Sequence, residues 1–219
     1  MSDVIVPALG YRRLTALYDP VLRLTTRERR FKVQLLDQLA PQSSERILDL
    51  ASGTGTFAFA VARRAPSAAI IGIDADADVL RIAEHKQHRA DRVVPFLRGL
   101  SFALPFATGV FDRVVSSLFL HHLTTADKLR TLTEVVRVLR PGGHFHLADW
   151  TRGSDPMMRA LSISIRLLDG TETTRANFAG DLPALLTRAG LQEVRERASL
   201  RTVYGTLGLF SAEKVATTP

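Results

Sequence analysis

The chain has 219 residues, 46% hydrophobic and 23% charged, which is enough for one well-buried α/β domain and too short for two. No apolar run approaches the ~20 residues that cross a bilayer and no signal-peptide stretch opens the chain, so a cytoplasmic protein without a membrane span is expected. The absence of cysteine excludes disulfides, Cys-based zinc sites and thiol nucleophiles, and the net charge of +7 comes mostly from arginines scattered through every predicted helix.

In chain order, residues 11–18 and 26–40 read as amphipathic helices, with Leu14 and Leu17, then Phe31, Leu35, Leu36 and Leu39 at helical spacing. Two basic clusters, Arg12-Arg13 and Arg27 to Arg30, precede the first strand. No aromatic-interleaved motif accompanies them, so nucleic acid is not the expected partner. Strands are predicted near 46–50, 69–73, 93–97, 111–116 and 143–149, separated by helices near 55–65, 78–88 and 126–139. Such alternation predicts a parallel sheet covered on both faces by right-handed crossovers. After Trp150 come a helix near 156–168, a polar loop at Thr171-Glu-Thr-Thr174 and a helix near 181–189 closed by Gly190. Two final strands, near 192–200 and 203–212, lie too close together for a crossover helix and are expected to pair as a hairpin. The whole chain therefore reads as one domain: helices over 1–42, a ligand-binding half over 43–150, and further helices and the hairpin over 151–219.

The first strand runs into Ala51-Ser-Gly53-Thr-Gly55 and then an Ala/Phe/Val helix. A Gly-rich turn between strand and helix exposes backbone N–H groups to a nucleotide or nucleoside. Asp74, ending the second strand, is placed to accept both hydroxyls of an adenosine ribose. The turn alone also fits a dinucleotide fingerprint. Asp49, just before the glycines, would repel a pyrophosphate and suits a cationic amino-acid moiety, which favours S-adenosylmethionine, a ligand with an ammonium, a sulfonium and no phosphate.

Asp49-Leu-Ala-Ser-Gly-Thr-Gly55, Gly72-Ile-Asp74, Leu104-Pro-Phe106 with Phe111-Asp-Arg-Val-Val115, Leu120-His-His-Leu123 and Val138-Leu-Arg-Pro-Gly-Gly143 occur in the order and spacing of class I S-adenosylmethionine-dependent methyltransferases. The chain resembles most the small-molecule subgroup that includes the ubiquinone/menaquinone-biosynthesis C-methyltransferases, a likeness extended by Tyr18-Asp19 and Tyr204-Gly-Thr206. The resemblance implies a Rossmann-like doubly wound α/β sheet, an antiparallel last strand between the fifth and sixth, and an N-terminal helical lid over 1–42. It places the cofactor against Asp49, Ala51, Ser52, Gly53, Gly55, Asp74, Ala75, Gly99, Leu100, Ser101 and Ser117. Asp49 would reach the ammonium and Asp74 the ribose. Ala51 stands where the family usually has a first Gly, and Leu100 where it usually places an acid for the adenine amino group, leaving backbone groups, Ser101 or water for that task.

Because the sulfonium is already activated, the protein need only align a deprotonated nucleophile and exclude water. Candidate groups lie at the carboxyl ends of strands four and five: His122 as general base, His121 as its rival, and Asp149 with Trp150 at the acceptor. Tyr18 is expected to close the pocket or pair with His122. Met157, Met158, Leu161, Ile163 and Ile165 would form a pliable wall suited to a lipophilic or aromatic small-molecule acceptor. Oxygen, nitrogen and carbon acceptors stay open, as does oligomeric state. Other readings are an RNA-modifying enzyme, a nicotinamide-dependent oxidoreductase, for which no Tyr-x-x-x-Lys pair is present, and a non-catalytic cofactor-binding protein.

Overall fold

The computed structural model describes residues 28–90 and 92–216. The elements are α1 (Glu28–Leu39), β1 (Arg46–Leu50), α2 (Thr56–Arg64), β2 (Ala69–Asp74), α3 (Ala77–Gln87), β3 (Phe96–Arg98), β4 (Phe111–Ser117), a 3-10 turn (Leu120–His122), α4 (Thr125–Val138), β5 (Leu139–Thr151), α5 (Pro156–Asp169), α6 (Thr171–Ala179), α7 (Leu182–Arg188), β6 (Leu191–Thr202) and β7 (Gly205–Lys214). They form a seven-stranded sheet in the order β3-β2-β1-β4-β5-β7-β6. The strands from β3 to β5 are parallel, while β7 runs antiparallel to both β5 and β6. The expected α/β class, the doubly wound order and the inserted antiparallel strand are all present. No helix among the described residues is long and apolar enough to cross a membrane.

Alternation along the strands sorts side chains into two apolar layers. Ile47, Ile70, Val115 and Leu209 face one layer with Phe31, Leu35, Leu39, Phe57 and Val61. Leu48, Leu50, Val114, Phe145 and Leu147 face the other with Leu132, Val135, Leu185 and Leu186. The helices begin where side chains satisfy free N–H groups: Asp76 accepts from Asp78 N, Thr124 from Asp127 N, and Asp155 from Met158 N with Pro156 at the first position of α5.

Two expectations are corrected. Residues 171–174 are not a loop: they open α6, whose Thr174 and Asn177 are fully buried. A run of threonines has poor intrinsic helix propensity, but here Thr173 and Thr174 hydroxyls bond back to the Asp169 and Gly170 carbonyls, and Asn177 Nδ2 donates to the Trp150 carbonyl at 3.0 Å. Tertiary contacts that a local pattern does not reveal decide the conformation. The second concerns residues 28–39, read as part of a lid. Phe31, Leu35 and Leu39 are 0% exposed, and burying each contributes roughly 1.5–3 kcal/mol. Gln38 Nε2 adds a bond to the Phe210 carbonyl at 2.8 Å. This helix is part of the core, and a lid can be sought only in residues 1–27, which, with Tyr18, lie outside the described residues.

Candidate active site

The register aligns the carboxyl ends of β1, β2, β4 and β5 on one edge of the sheet: Leu50 lies beside Ile73 and Ser116, and Ser117 beside Ala148. Strand order reverses between β1 and β4, the point at which open α/β sheets leave a crevice for a ligand.

On the β1 side the turn is built from left-handed backbone. Ala51, Gly53 and Gly55 have φ of 56°, 53° and 72°, a region that suits glycine and strains alanine. At Gly55 an added Cβ would lie 2.5 Å from the Phe96 ring; beside Gly53 there is open space. Asp74 organises the turn. One carboxylate oxygen accepts from Gly53 N at 2.8 Å and the other from Asp76 N at 2.9 Å, while the Asp74 carbonyl accepts from Gly99 N at 2.9 Å. A carboxylate has about four acceptor positions, so both oxygens keep capacity for further donors such as ribose hydroxyls. Burial raises the Asp74 pKa, against the backbone N–H groups that hold it down.

Asp49 shares the face of Ile47, towards α1 and α2. It is 2% exposed, and its Oδ2 has no hydrogen-bond partner among the described residues. Burial lifts its pKa to about 7, against the nearby Lys32 and with a further push from Asp74. An unpartnered buried carboxylate oxygen beside an open glycine turn fits a ligand that brings its own cation. Ser52 Oγ is likewise buried without a partner. The residues at the turn thus fit S-adenosylmethionine: Asp49 for the ammonium, Gly53 and Gly55 for close approach, Asp74 for the ribose.

The far wall of this half is more apolar than usual. Leu100 forms an isolated bridge with Ala103, and Ser101 Oγ lies 2.8 Å from Thr131 Oγ1 on α4. Its hydroxyl is engaged with that helix. Ala75 contributes its carbonyl to the Arg98 guanidinium at 3.2 Å.

On the β4–β5 side, Leu118 takes a left-handed conformation (φ 53°) that turns the chain off the sheet into the 3-10 turn carrying His121 and His122. Such strain in a leucine costs of order 1–3 kcal/mol and clusters at functional sites. The turn brings together residues remote in sequence. His121 Nδ1 lies 2.6 Å from Asp149 Oδ1 and its Nε2 lies 3.6 Å from Asp169 Oδ2; His122 Nδ1 lies 3.9 Å from Asp169 Oδ1. The two imidazole centroids are 4.0 Å apart. Asp149 is fully buried, and its Oδ1 also accepts from Trp150 N at 2.7 Å. Burial alone would raise its pKa, but His121 and these donors hold it below the usual carboxylate range. Burial raises that of Asp169. Burial and the neighbouring His121 depress His122 to about 3, which leaves it neutral and a reluctant proton acceptor at neutral pH. Of the two candidate bases, His121 is the one held by a buried carboxylate, Asp149, at 2.6 Å.

Several groups here were not singled out as site residues from the sequence. Asp169 ends an apolar helix and reads as a helix terminus. Ser116 Oγ is buried with no partner among the described residues at the end of β4, and Lys128 Nζ, buried in α4, donates to the Leu123 and Thr173 carbonyls at 2.5 Å each. Of the expected apolar wall, Met158 and Ile165 are buried, whereas Met157 and Ile163 are more than half exposed.

Comparison with known proteins gives the family and the fold. Residues 47–143 match the family model described as a methyltransferase domain. An uncharacterized methyltransferase of Synechocystis is 35% identical over 185 residues, covering 82% of this chain and 84% of the relative. The demethylmenaquinone methyltransferase of Thermus thermophilus is 35% identical over 61% of this chain and 60% of its own length, and a ubiquinone/menaquinone biosynthesis C-methyltransferase of Paracoccus denitrificans is 33% identical over 69% and 61%. The chain thus spans about three fifths of the quinone-pathway relatives. Among solved structures, the YcgJ protein of Bacillus subtilis superposes with a TM-score of 0.70 at 18% identity, over 84% of this chain and 97% of that one. Phosphoethanolamine N-methyltransferase 2 of Haemonchus contortus, solved in complex with S-adenosyl-L-methionine, gives 0.67 at 15% identity, over 85% and 52%. With a glycine turn flanked by the buried Asp49 and the partly buried Asp74, the matching sheet order and a relative alike over most of both lengths, this chain belongs to the class I S-adenosylmethionine-dependent methyltransferases.

Proposed function

We propose that the acceptor is a small molecule with an acidic oxygen or an enol-type carbon, and that it meets the cofactor at the cluster of His121, His122, Asp149 and Asp169. The observation that carries this is the 2.6 Å contact between His121 Nδ1 and the fully buried Asp149. A buried carboxylate on one ring nitrogen fixes the ring's orientation, and the other nitrogen, Nε2, lies 3.6 Å from Asp169 Oδ2.

When bound, S-adenosylmethionine supplies a methyl group on a sulfonium, an electrophile that needs no further activation. Asp49 and Asp74 hold that cofactor's charged and hydroxylated ends. Asp149 positions His121, and the acceptor gives up its proton at the histidine–aspartate cluster before or during attack. Met158 and Ile165 are buried in α5, the helix that ends in Asp169, and an acceptor with an apolar or aromatic body suits such surroundings better than a highly charged one. The quinone-pathway relatives support the same class. A cytoplasmic location is part of the proposal.

The test is methyl transfer from isotopically labelled S-adenosylmethionine to a panel of phenols, hydroquinones and 1,3-dicarbonyl compounds, with amines and RNA as controls. Labelling of a hydroquinone or phenol, lost in Asp149→Asn, supports the proposal. Labelling confined to amines or to RNA overturns it.

A further inference from the structure

We propose that His121, His122 and Asp169 form a binding site for a divalent first-row transition metal such as zinc, with Asp149 as the outer carboxylate that holds His121 in place. One ligand atom from each of the three residues lies within 4.8 Å of the others. The inference rests on the acceptor reading above and adds to it the group that would receive the acceptor's oxygen.

The arrangement is that of a site awaiting a cation. In the neutral tautomer in which His121 donates from Nδ1 to Asp149 Oδ1, its Nε2 presents a lone pair. That lone pair faces an Asp169 oxygen at 3.6 Å, and His122 Nδ1 faces the other Asp169 oxygen at 3.9 Å. Acceptor against acceptor is repulsive unless something positive lies between them. Ligand atoms at ~2.0–2.1 Å from a tetrahedral zinc are about 3.3–3.4 Å apart, so the 3.6 Å pair must close by a few tenths of an ångström and the widest separation, up to 4.8 Å, by as much as about 1.4 Å. Two imidazoles and one carboxylate suit zinc, cobalt or iron(II) better than magnesium or calcium. The carboxylate–histidine–metal relay is the usual means by which a ligating imidazole is fixed.

The electrostatics agree. The Asp149 and Asp169 carboxyl groups flank His121, and the Lys128 ammonium nearby is tied to the Leu123 and Thr173 carbonyls. Exposure is confined to one side: the side chains of His122 and Asp169 are 26% and 16% exposed, while those of His121 and Asp149 are 4% and 0%. A metal held here keeps coordination positions open on the exposed side, where an acceptor hydroxyl or enol would bind as the oxyanion and release its proton to solvent.

The site can be tested with the full chain, with neither cofactor nor acceptor present. Cobalt(II) is titrated into metal-stripped protein while its visible d–d absorption and the fluorescence of Trp150 are followed. Trp150 is the sole tryptophan, and its ring centroid lies 6.4 Å from that of His121. The expected result is one equivalent of bound cobalt that quenches Trp150 and is displaced by zinc. Asp169→Asn and His121→Ala should abolish it, and Asp149→Asn should weaken it about 10–100-fold. Asp74→Ala, which addresses the cofactor turn, should leave it unchanged. Absent absorption, or binding indifferent to Asp169→Asn, overturns the site. Full methyl transfer by metal-stripped protein overturns its part in the reaction while leaving the proposed function standing. Cobalt binding without transfer to any acceptor has the opposite meaning.

Discussion

The cofactor end and the acceptor end of the crevice are built by different means. Around β1 and β2 the work is done by backbone: left-handed residues at 51, 53 and 55, N–H groups of Gly53 and Asp76 on Asp74, and a Gly99 N–H on the same strand end. Around β4 and β5 it is done by side chains from three separate segments, at 121–122, 149 and 169, held by one buried carboxylate. A backbone site demands particular residue types at fixed short spacing. A side-chain site needs only that distant segments meet, so it can be altered without disturbing the fold.

If that difference is real, damage to one end should spare the other. The largest effect is expected from Asp149→Asn, which removes the charge and permits the wrong His121 tautomer: kcat should fall about 10²–10⁴-fold, with cofactor Kd unchanged by calorimetry. A comparable loss of cofactor affinity would mean that the two ends are one unit. Next comes Asp74→Ala, which leaves the Gly53 and Asp76 N–H groups without their acceptor. Each charged hydrogen bond is worth about 1.5–3 kcal/mol, so cofactor Kd should rise by roughly ten- to 150-fold, while His121 keeps its environment in NMR spectra.

A third effect is a pH dependence belonging to the cofactor end alone. Asp49 titrates at about 7 in the free protein, and the ammonium of the cofactor favours its charged form. Below that pH binding must expel a proton, so affinity should fall about tenfold per unit as pH drops from 7. A second fall is due above about 8, where an α-amino group loses its charge. A flat profile between pH 5 and 7 would show that Asp49 does not meet the ammonium. The smallest effect concerns Ala51, whose φ of 56° suits glycine. Ala51→Gly should raise stability by about 0.5–1 kcal/mol in chemical denaturation without changing turnover.

The same contrast explains what could be read before any coordinates. The strand–helix alternation, the hairpin and the turn with Asp49 and Asp74 follow from periodicity and short motifs, because each is encoded within a few residues, while the place of the last strand in the sheet came from the family resemblance. At the acceptor end His121, His122 and Asp149 were identifiable as candidates from their positions at strand ends. The contact that holds His121 was not, since it spans 28 residues of sequence. Asp169 carried no signal at all. Helix α6 was missed for a related reason: its threonines disfavour helix locally, and the contacts that stabilise it come from Trp150 and from the end of α5. The boundary of the expected lid was misplaced because an amphipathic pattern does not distinguish a helix resting on a pocket from one buried against a sheet, as Phe31, Leu35 and Leu39 are.

The central claim is that cofactor and acceptor meet across this crevice, with the reacting sulfur facing the histidine cluster. An experimental structure of the full chain with S-adenosylhomocysteine tests it most directly. The expected result places the amino group at Asp49, the ribose hydroxyls at Asp74 and the sulfur towards His121, His122 and Asp169. A ligand bound elsewhere, or one whose sulfur points away from that cluster, would contradict the account.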